Sequence, residues 1–446
     1  MTMRLRSTFA IGAFLSCVLI SCWQASNAQT SPITAEQSLI DLPTTLRLAG
    51  AQNLDIQIAR EKFDEAKANY SSAVSQFFPS LSPSITYRRH DNLIQDVVGN
   101  IIDVHKQSYA PGGTLGAQLD LGDAIYRRLA AKQLARAADH AVEGQRQETI
   151  FQAAQAYFDL ALNQAAIAVA RDAVRIATNY EAQVQAAVEA GIAFKGDELR
   201  VRVQAERNQL GLRQAVEQQR IAAARLAQTL HLDPAVELVA TGELTPLLLV
   251  ETNQALGALV QHALISRPEL KQSASLVGAA RESRNGVVYG PLFPSLGAQA
   301  LVGGLGGGLN GAAGAFGEQE DYVVGLSWRI GPGGLFDTSR KRATEARLQG
   351  ARLSSQKLHD EISRQVVEAF ARVQSMTDQI TIATRGLKAA EDGLRLARAR
   401  REFAVGIVLE TIQTEQDLTR ARNDYFKTVA EFNKAQYALN KALGKL

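Results

Sequence analysis

The chain has 446 residues, 46% of them apolar and 21% charged, with a formal net charge of +3 at pH 7. Two of its arginines, Arg4 and Arg6, sit in a leading segment, so the remaining charge is close to balanced and nucleic-acid binding gets no support. Cys17 and Cys22 are the only cysteines, so a chain cleaved after Ala28 would contain none and depend on no disulfide.

Chain order begins with an export signal. Arg4 and Arg6 precede the apolar run Phe9 to Ile20, too short to span a bilayer and suited to a secretory signal peptide. Two processing sites follow. Leu19-Ile-Ser-Cys22 resembles a lipobox, which predicts a leader of residues 1–21 and a lipid anchor on Cys22. Ser26-Asn-Ala28 fits ordinary cleavage and a leader of residues 1–28. Downstream there is no stretch of about 20 apolar residues, so no membrane-spanning helix is predicted.

Residues 34–252 form a first structural unit. Leu46, Ala49, Leu54, Ile58, Ala66, Tyr70 and Val74 share one face of a helix predicted over Pro43 to Phe78, which Pro79 and Pro83 end. The period then changes to two. Leu81, Ile85 and Tyr87 alternate with Ser82, Ser84, Thr86 and Arg88; after a polar loop containing Asp96 to Gly113, Leu115, Ala117, Leu119 and Leu121 alternate with Gly116, Gln118 and Asp120. This predicts a β-hairpin over about 80–122. A helical hairpin over about 123–230 follows, since no proline lies between Pro111 and Pro234 and Gly191 can supply the turn. His231 to Thr252, with Pro234, Gly242 and Pro246, is a connector expected to lie across the outside of the helices, with His231 as a helix-end residue and not a ligand.

Residues 253–446 repeat the order: a helix, a β-hairpin over about 295–331 and a helical hairpin over about 336–443. Leu296, Ala298, Ala300 and Val302 alternate first, a glycine-rich loop runs from Gly303 to Gly317, of which Gly303 to Gly314 is expected to be a mobile strand connection, and Tyr322, Val324, Leu326, Trp328 and Ile330 alternate with Val323, Gly325, Ser327 and Arg329. Tyr322 and Trp328 fall where the aromatic belt of a membrane barrel would lie, while the same alternation is also normal for a soluble sheet. No proline follows Pro332. Ile380, Ala383, Leu387, Ala390, Leu394, Ala397 and Ala404 form a coiled-coil seam, which halts near Gly406 and restarts as Leu418, Ala421, Tyr425, Thr428, Phe432, Ala435, Leu439 and Ala442. Each arm beside the turn has about 36 residues and a length on the order of 55 Å.

The two units are a tandem duplication. Gly191 and Gly406 are 215 residues apart, as are the two copies of Phe-Pro-Ser-Leu at Phe78 and Phe293, and Asn53-Leu-Asp-Ile56 lies 214 residues before Arg267-Pro-Glu-Leu270. Four strands with two open edges cannot close; a membrane barrel needs at least about eight, and three copies would supply about twelve. No GxxxxGK[ST], GxSxG, HExxH or cysteine cluster occurs, so the sequence predicts neither an enzyme nor a cofactor or metal site. The many charges on the helices, Arg395, Arg398, Arg400 and Arg401 among them, are first of all solvated faces, though four arginines within seven residues near a hairpin tip could also meet a partner.

The order of elements, the duplicated Phe-Pro-Ser-Leu, Ala263-Leu-Ile-Ser-Arg-Pro-Glu-Leu270 and the ending Val405-Gly406 through Ala442-Leu-Gly444 resemble the TolC-like outer membrane efflux protein family over essentially the whole mature chain. The resemblance implies a mainly α protein with membrane β structure: a homotrimer whose twelve-stranded barrel in outer-membrane lipid, four strands per chain, continues as a long α-helical barrel in the periplasm of a Gram-negative-type cell. It implies passive export, as the exit duct of a tripartite efflux or type I secretion system, with a periplasmic adaptor and an inner-membrane pump of RND, ABC or MFS type as partners. Gly191, Ile192, Gly406 and Ile407 then lie at the periplasmic tip that contacts the adaptor, and Asp197, Glu410 and Gln413 at the aperture. Gln413 replaces an acid common in the family, and Phe403 stands where some members have a latch tyrosine. For Asp197, helix capping is a compatible local role. A periplasmic coiled-coil adaptor or scaffold is the alternative, which would explain the hairpins but not the strands.

Overall fold

The computed structural model describes residues 37–250, 255–309, 314–331, 333–402 and 408–446. The export signal with Cys22, and Phe403, Gly406 and Ile407, lie outside the described residues. The elements run β1 (Gln37–Ile40), α1 (Leu42–Gln52), α2 (Leu54–Ser75), β2 (Ser80–His90), β3 (Leu93–Gln95), β4 (Ile101–Asp103), β5 (Lys106–Asp120), α3 (Leu121–Glu189), α4 (Lys195–Leu230) and β6 (Glu237–Ala240). The second unit follows as α5 (Leu256–Ser266), α6 (Pro268–Tyr289), β7 (Ser295–Leu309), β8 (Ala315–Ser327), α7 (Thr338–Glu402) and α8 (Val408–Ala442).

Helices dominate because the windows predicted to be proline-free carry continuous apolar faces. The arms of each hairpin are unequal. α3 has 69 residues and α7 has 65, against 36 in α4 and 35 in α8, so the long arms run on the order of 100 Å. The 36-residue estimate holds only for the short arms. The long helices extend from the sheet to the turn and change partners on the way. α3 packs against α2 and α6 in its sheet-proximal part and against α4 and α8 beyond it, and α7 passes from α6 to α8. The predicted seam lies in the hairpin interface: Leu394 and Ala397 are buried and Ile380, Ala383, Leu387 and Ala390 half-buried, and on the partner Leu418, Phe432, Ala435, Leu439 and Ala442 are buried and Ala421, Tyr425 and Thr428 half-buried.

The single helix predicted over Pro43–Phe78 is two. Asn53 leaves the helical region at φ −62° and ψ 134°, and its Oδ1 accepts from the Asp55 amide at 2.8 Å, capping α2. Its Nδ2 donates to the Thr229 carbonyl at 2.8 Å, serving an orphan acceptor at the end of α4. Arg267 occupies the equivalent place in the second unit. It separates α5 from α6, and its Nη1 reaches the Lys441 and Ala442 carbonyls at the end of α8, at 3.4 and 3.5 Å. The same junction therefore closes each repeat on itself, by an amide in one and a guanidinium in the other.

The four long strands form one antiparallel sheet in the order β2-β5-β7-β8. The strands are longer than the alternation predicted. Lys106 to Gly113 belongs to β5, and Gly303 to Leu309 belongs to β7, paired with β5 on one side and β8 on the other. Glycine has no side chain to alternate, which hid the strand; its use is steric. Tyr109, Gly306 and Phe316 are register partners, and the two rings stack over the glycines with centroids 6.0 Å apart and planes 9° apart. A Cβ on Gly306 would lie 2.3 Å from the Tyr109 ring, and one on Gly304 2.2 Å from that of Phe316.

The connector runs over the helices as expected, and adds a strand. β6 pairs in parallel with β1. Leu238 is buried among Leu226, Leu230 and Phe158; Tyr157 Oη donates to the Thr241 carbonyl at 2.9 Å, and Asn433 Oδ1 and Gln436 Oε1 accept from the Leu247 and Val250 amides at 2.8 and 3.0 Å. His231 is the left-handed C-cap of α4 at φ 54°.

Candidate functional site

The end of the helices remote from the sheet collects most of the sequence-predicted site residues. α3 ends in a Schellman turn: Gly191, at φ 74°, donates its amide to Val188 O at 3.0 Å, and the Ile192 amide bonds Ala187 O at 2.8 Å. Only glycine takes this conformation without cost, because a Cβ crowds the following carbonyl. The turn presents Ile192 and Phe194, each 82% exposed, as its outermost apolar side chains.

α4 then starts without a side-chain cap. Its N-cap is Phe194, so the capping role predicted for Asp197 is not made. Asp197 sits instead in the first turn, where its charge favours the exposed amides, and Arg200 Nη1 donates to its Oδ1 at 3.3 Å. The next residue, Glu198, is the more deeply placed acid, at 3% exposure. Lys195 Nζ donates to both its carboxylate oxygens at 2.6 and 2.7 Å, and Arg202 Nη2 lies 3.6 Å away. A buried carboxylate requires such partners, since an unpaired one costs several kcal/mol. Sequence reasoning passed over Glu198; its signal was the i−3 lysine and i+4 arginine around it.

At the start of α8, Glu410 is bound across the hairpin. Arg400 Nη1, near the end of α7, donates to Glu410 Oε1 at 2.7 Å. One turn further in, Arg398 Nη2 approaches Glu415 Oε1 at 3.9 Å, and Glu415 is buried. Gln413 is exposed. Two of the arginines taken as solvated faces are thus cross-hairpin partners, whereas Arg395 pairs locally with Asp392 at 2.8 Å.

Apolar contacts join the two hairpins at this end. Tyr180 and Val184 of α3, Val201 of α4 and Ile412 of α8 form one buried cluster, with Val188 and Val408 beside it. Asp197 lies one turn before Val201 and Glu410 two residues before Ile412, so this cluster holds both acids in the same layer. Gln416 Nε2 donates to Gln204 Oε1 at 2.7 Å just behind it, and Arg422 meets Asp172 at 3.3 Å. A cavity of about 320 Å³ opens there between the two hairpins, bordered by Gln204, Asn208, Glu415, Gln416 and Arg422.

Deeper in the helices, ion pairs link α3 to α8. Lys434 Nζ donates to Asp159 Oδ1 at 2.5 Å and Glu431 Oε1 at 3.0 Å, and Lys441 pairs with Glu148. Burial alone would lower the Lys434 ammonium, but the two carboxylates outweigh it and hold its pKa above the ordinary lysine value. Burial likewise raises the Glu431 and Glu148 carboxyls, and their lysine partners reverse the effect, leaving both below the ordinary range.

At the other end, Tyr322 and Trp328 are exposed, but they do not share a level: Trp328 lies just past the end of β8 and Tyr322 six residues before it, about 20 Å along a strand. The row that crosses the sheet is Tyr87, Tyr109 and Phe316. Among the described residues no helix is long and apolar enough to cross a membrane, and no group of three or more His, Cys, Asp or Glu is placed to hold a metal ion.

Comparison with known proteins agrees with the duplicated layout. The family model described as outer membrane efflux protein matches twice, over residues 45–230 and 259–445. Nodulation protein T of Rhizobium leguminosarum bv. trifolii is 24% identical over 418 residues, covering 88% of this chain and 83% of its own. The crystal structure of the Campylobacter jejuni CmeC outer membrane channel superposes with a TM-score of 0.79 at 15% identity, covering 91% of this chain and 85% of that one. A membrane protein of Pseudomonas aeruginosa gives 0.78 at 18% identity, covering 90% and 93%.

Proposed function

The chain belongs to the outer membrane efflux protein family, and from that membership and the tip geometry we propose that three copies form the exit duct through which an inner-membrane pump, coupled by a periplasmic adaptor, exports its cargo. The observation that carries this reading is the sheet: four strands per chain with both outer edges unpaired, fed by helices on the order of 100 Å long. Its alternation gives one apolar face, with Leu81, Ile85, Leu115, Leu296, Val324 and Leu326, and a second face mostly of Ser, Thr, Gln and Gly, with Leu301, Leu305 and Val323 among them. That pattern suits lipid on one side and a watery lumen on the other. A scaffold that lay wholly in the periplasm would have no use for such a sheet.

At the tip, the Gly191 turn with Ile192, and its counterpart at Gly406 and Ile407, form the adaptor-facing surface. Asp197, Glu410 and Gln413 border the aperture, and three-fold symmetry brings three copies of each around one axis. Like charges converging on a narrow mouth attract cations. Arg400 offsets part of that charge at Glu410, so the wild-type mouth prefers cations only moderately.

Reversal potentials in planar bilayers under a salt gradient test the assignment. Glu410→Gln is expected to weaken cation selectivity more than Gln413→Ala does, and Gln413→Asp to increase it. An unchanged reversal potential in Glu410→Gln would remove Glu410 from the constriction. Recovery of the protein in the soluble periplasmic fraction, and not with outer membranes, would favour the scaffold.

A further inference from the structure

The unpaired edges of the sheet carry opposite charge at one end. β2 has 11 residues and β8 has 13; each pairs on one side only. At its far end from the helices β2 carries Arg88 and Arg89, and the corresponding end of β8 carries Glu318, Glu320 and Asp321. All five are exposed. Within the chain these groups are satisfied only locally. Arg89 Nε donates to Asp91 at 2.9 Å, Tyr322 Oη to Glu320 at 3.3 Å and Gln319 to Asp321 at 3.4 Å.

The intrachain register fixes what sits level with what. Ile85 pairs with Pro111, and Gly113 and Gly112 with Val302 and Gly303, so that line continues through Gly304 to Glu318. If β8 met β2 of the next copy without stagger, Glu318 would lie opposite Ile85 and Ser327 opposite Gln76, which is helix C-cap and not strand. A tilted barrel cannot close that way. Strands tilted by about 35–45° and ~4.8 Å apart accumulate on the order of 13–19 Å over four steps, which is about four to six residues. The stagger must be even, because a one-residue slip exchanges the two faces.

We propose that β8 of one copy pairs antiparallel with β2 of the next at a stagger of four, so that Ser327 lies opposite Ser80 and Gly317 opposite His90. This register uses every residue of β2. It aligns Leu326, Val324 and Tyr322 with Leu81, Pro83 and Ile85 on the apolar face, and Val323, Gly325 and Ser327 with Ser84, Ser82 and Ser80 on the polar face. It places Arg89 directly opposite Glu318 and diagonal to Glu320, and Arg88 diagonal to Asp321. A stagger of two would bring Glu318 beside Tyr87 and Arg89 beside Phe316. One of six would set Arg89 against Glu320 and Arg88 against Asp321, but it would also oppose Glu318 to Asp91 and leave Ser80 and Leu81 of β2 facing no residue of β8. The tilt therefore excludes a stagger of two, full pairing of β2 excludes one of six, and in the register that remains the charged ends of the two edges meet opposite charge. This rests on the trimeric reading given above.

Cysteine pairs on the polar face discriminate the registers, because Ser82, Ser84 and Thr86 accept the substitution with little change in volume. Ser84→Cys with Val323→Cys is expected to give a covalent trimer on oxidation, with less than a tenth as much from Ser82→Cys or Thr86→Cys paired with Val323→Cys. Arg89→Glu should lower trimer recovery several-fold, and adding Glu318→Arg should restore it. A trimer by light scattering that cross-links best through Ser82 or Thr86, or through none of the three, overturns the register alone. A monomer overturns the trimeric reading as well.

Discussion

The two tips are built by the same duplicated sequence plan, yet they hold their acids differently. At the start of α4, Glu198 and Asp197 are paired within their own helix, by Lys195, Arg202 and Arg200. At the start of α8, Glu410 and Glu415 are met by Arg400 and Arg398 from the opposite arm. A local pair survives any movement of the hairpin as a body. A cross-arm pair is lost when the arms separate; the first tip has one as well, Arg202 with Glu181 of α3 at 3.3 Å, but its Asp197 and Glu198 keep partners on their own helix, whereas Glu410 and Glu415 depend on hairpin geometry. The apolar cluster of Tyr180, Val184, Val201 and Ile412 then couples that hairpin to the first.

Breaking the coupling should have the largest effect. Ile412→Asp inserts an unpaired charge among Val201, Tyr180 and Val184, at a cost of roughly 3–5 kcal/mol by the penalty for an uncompensated buried charge. Limited proteolysis should then cut α8 near its start while the sheet-proximal helices stay resistant; an unchanged digest would mean that the hairpins are independent. Next in size is the link deeper down. Lys434→Met leaves Asp159 without its partner and should cost about 1–3 kcal/mol, seen as a lower Tm.

The same link has a defined pH dependence. Glu431 and Glu148 have folded pKa values below their ordinary 4.5, so their contribution is complete above that value and is lost as the pH falls through the lower folded one. Lys434, raised above 10.5, contributes fully below that value and loses it only as pH rises past the folded pKa. Tm should therefore be flat from neutral pH down to about 5 and fall below it, with a shallower fall in Lys434→Met.

A smaller effect separates the tips directly. Arg400→Gln frees Glu410 and should move the reversal potential toward that of a more cation-selective pore, whereas Arg200→Gln should move it less, because Asp197 keeps its place at the helix start. Equal shifts would erase the distinction between local and cross-arm pairing. Smallest of all, Arg395→Ala removes an exposed i+3 pair with Asp392 and should change stability by no more than about 0.5 kcal/mol.

Much of this was legible in the residues. The spacing of Leu387, Ala390, Leu394 and Ala397 marks the buried seam, and Gly191 marks the turn, because both are local consequences of helical period and backbone freedom. The sheet was legible wherever side chains alternate, as at Leu296, Ala298 and Ala300. It was lost at Gly303 to Leu309, where glycines make room for Tyr109 and Phe316 on neighbouring strands. The helix break at Asn53 was hidden because a polar residue between apolar ones looks like a solvated position. Its second bond, to Thr229, joins residues 176 apart. The pairing of Arg400 with Glu410 had no sequence signal, since it depends on the register in which two arms close across their turn.

Cryo-electron microscopy of the detergent-extracted protein tests the central claim most directly. The expected result is a three-fold tube in which twelve strands, four from each copy, form one closed barrel that runs without a break into a helical barrel on the order of 100 Å long. A monomer whose four-stranded sheet stays open, or folds back onto its own helices, would contradict it.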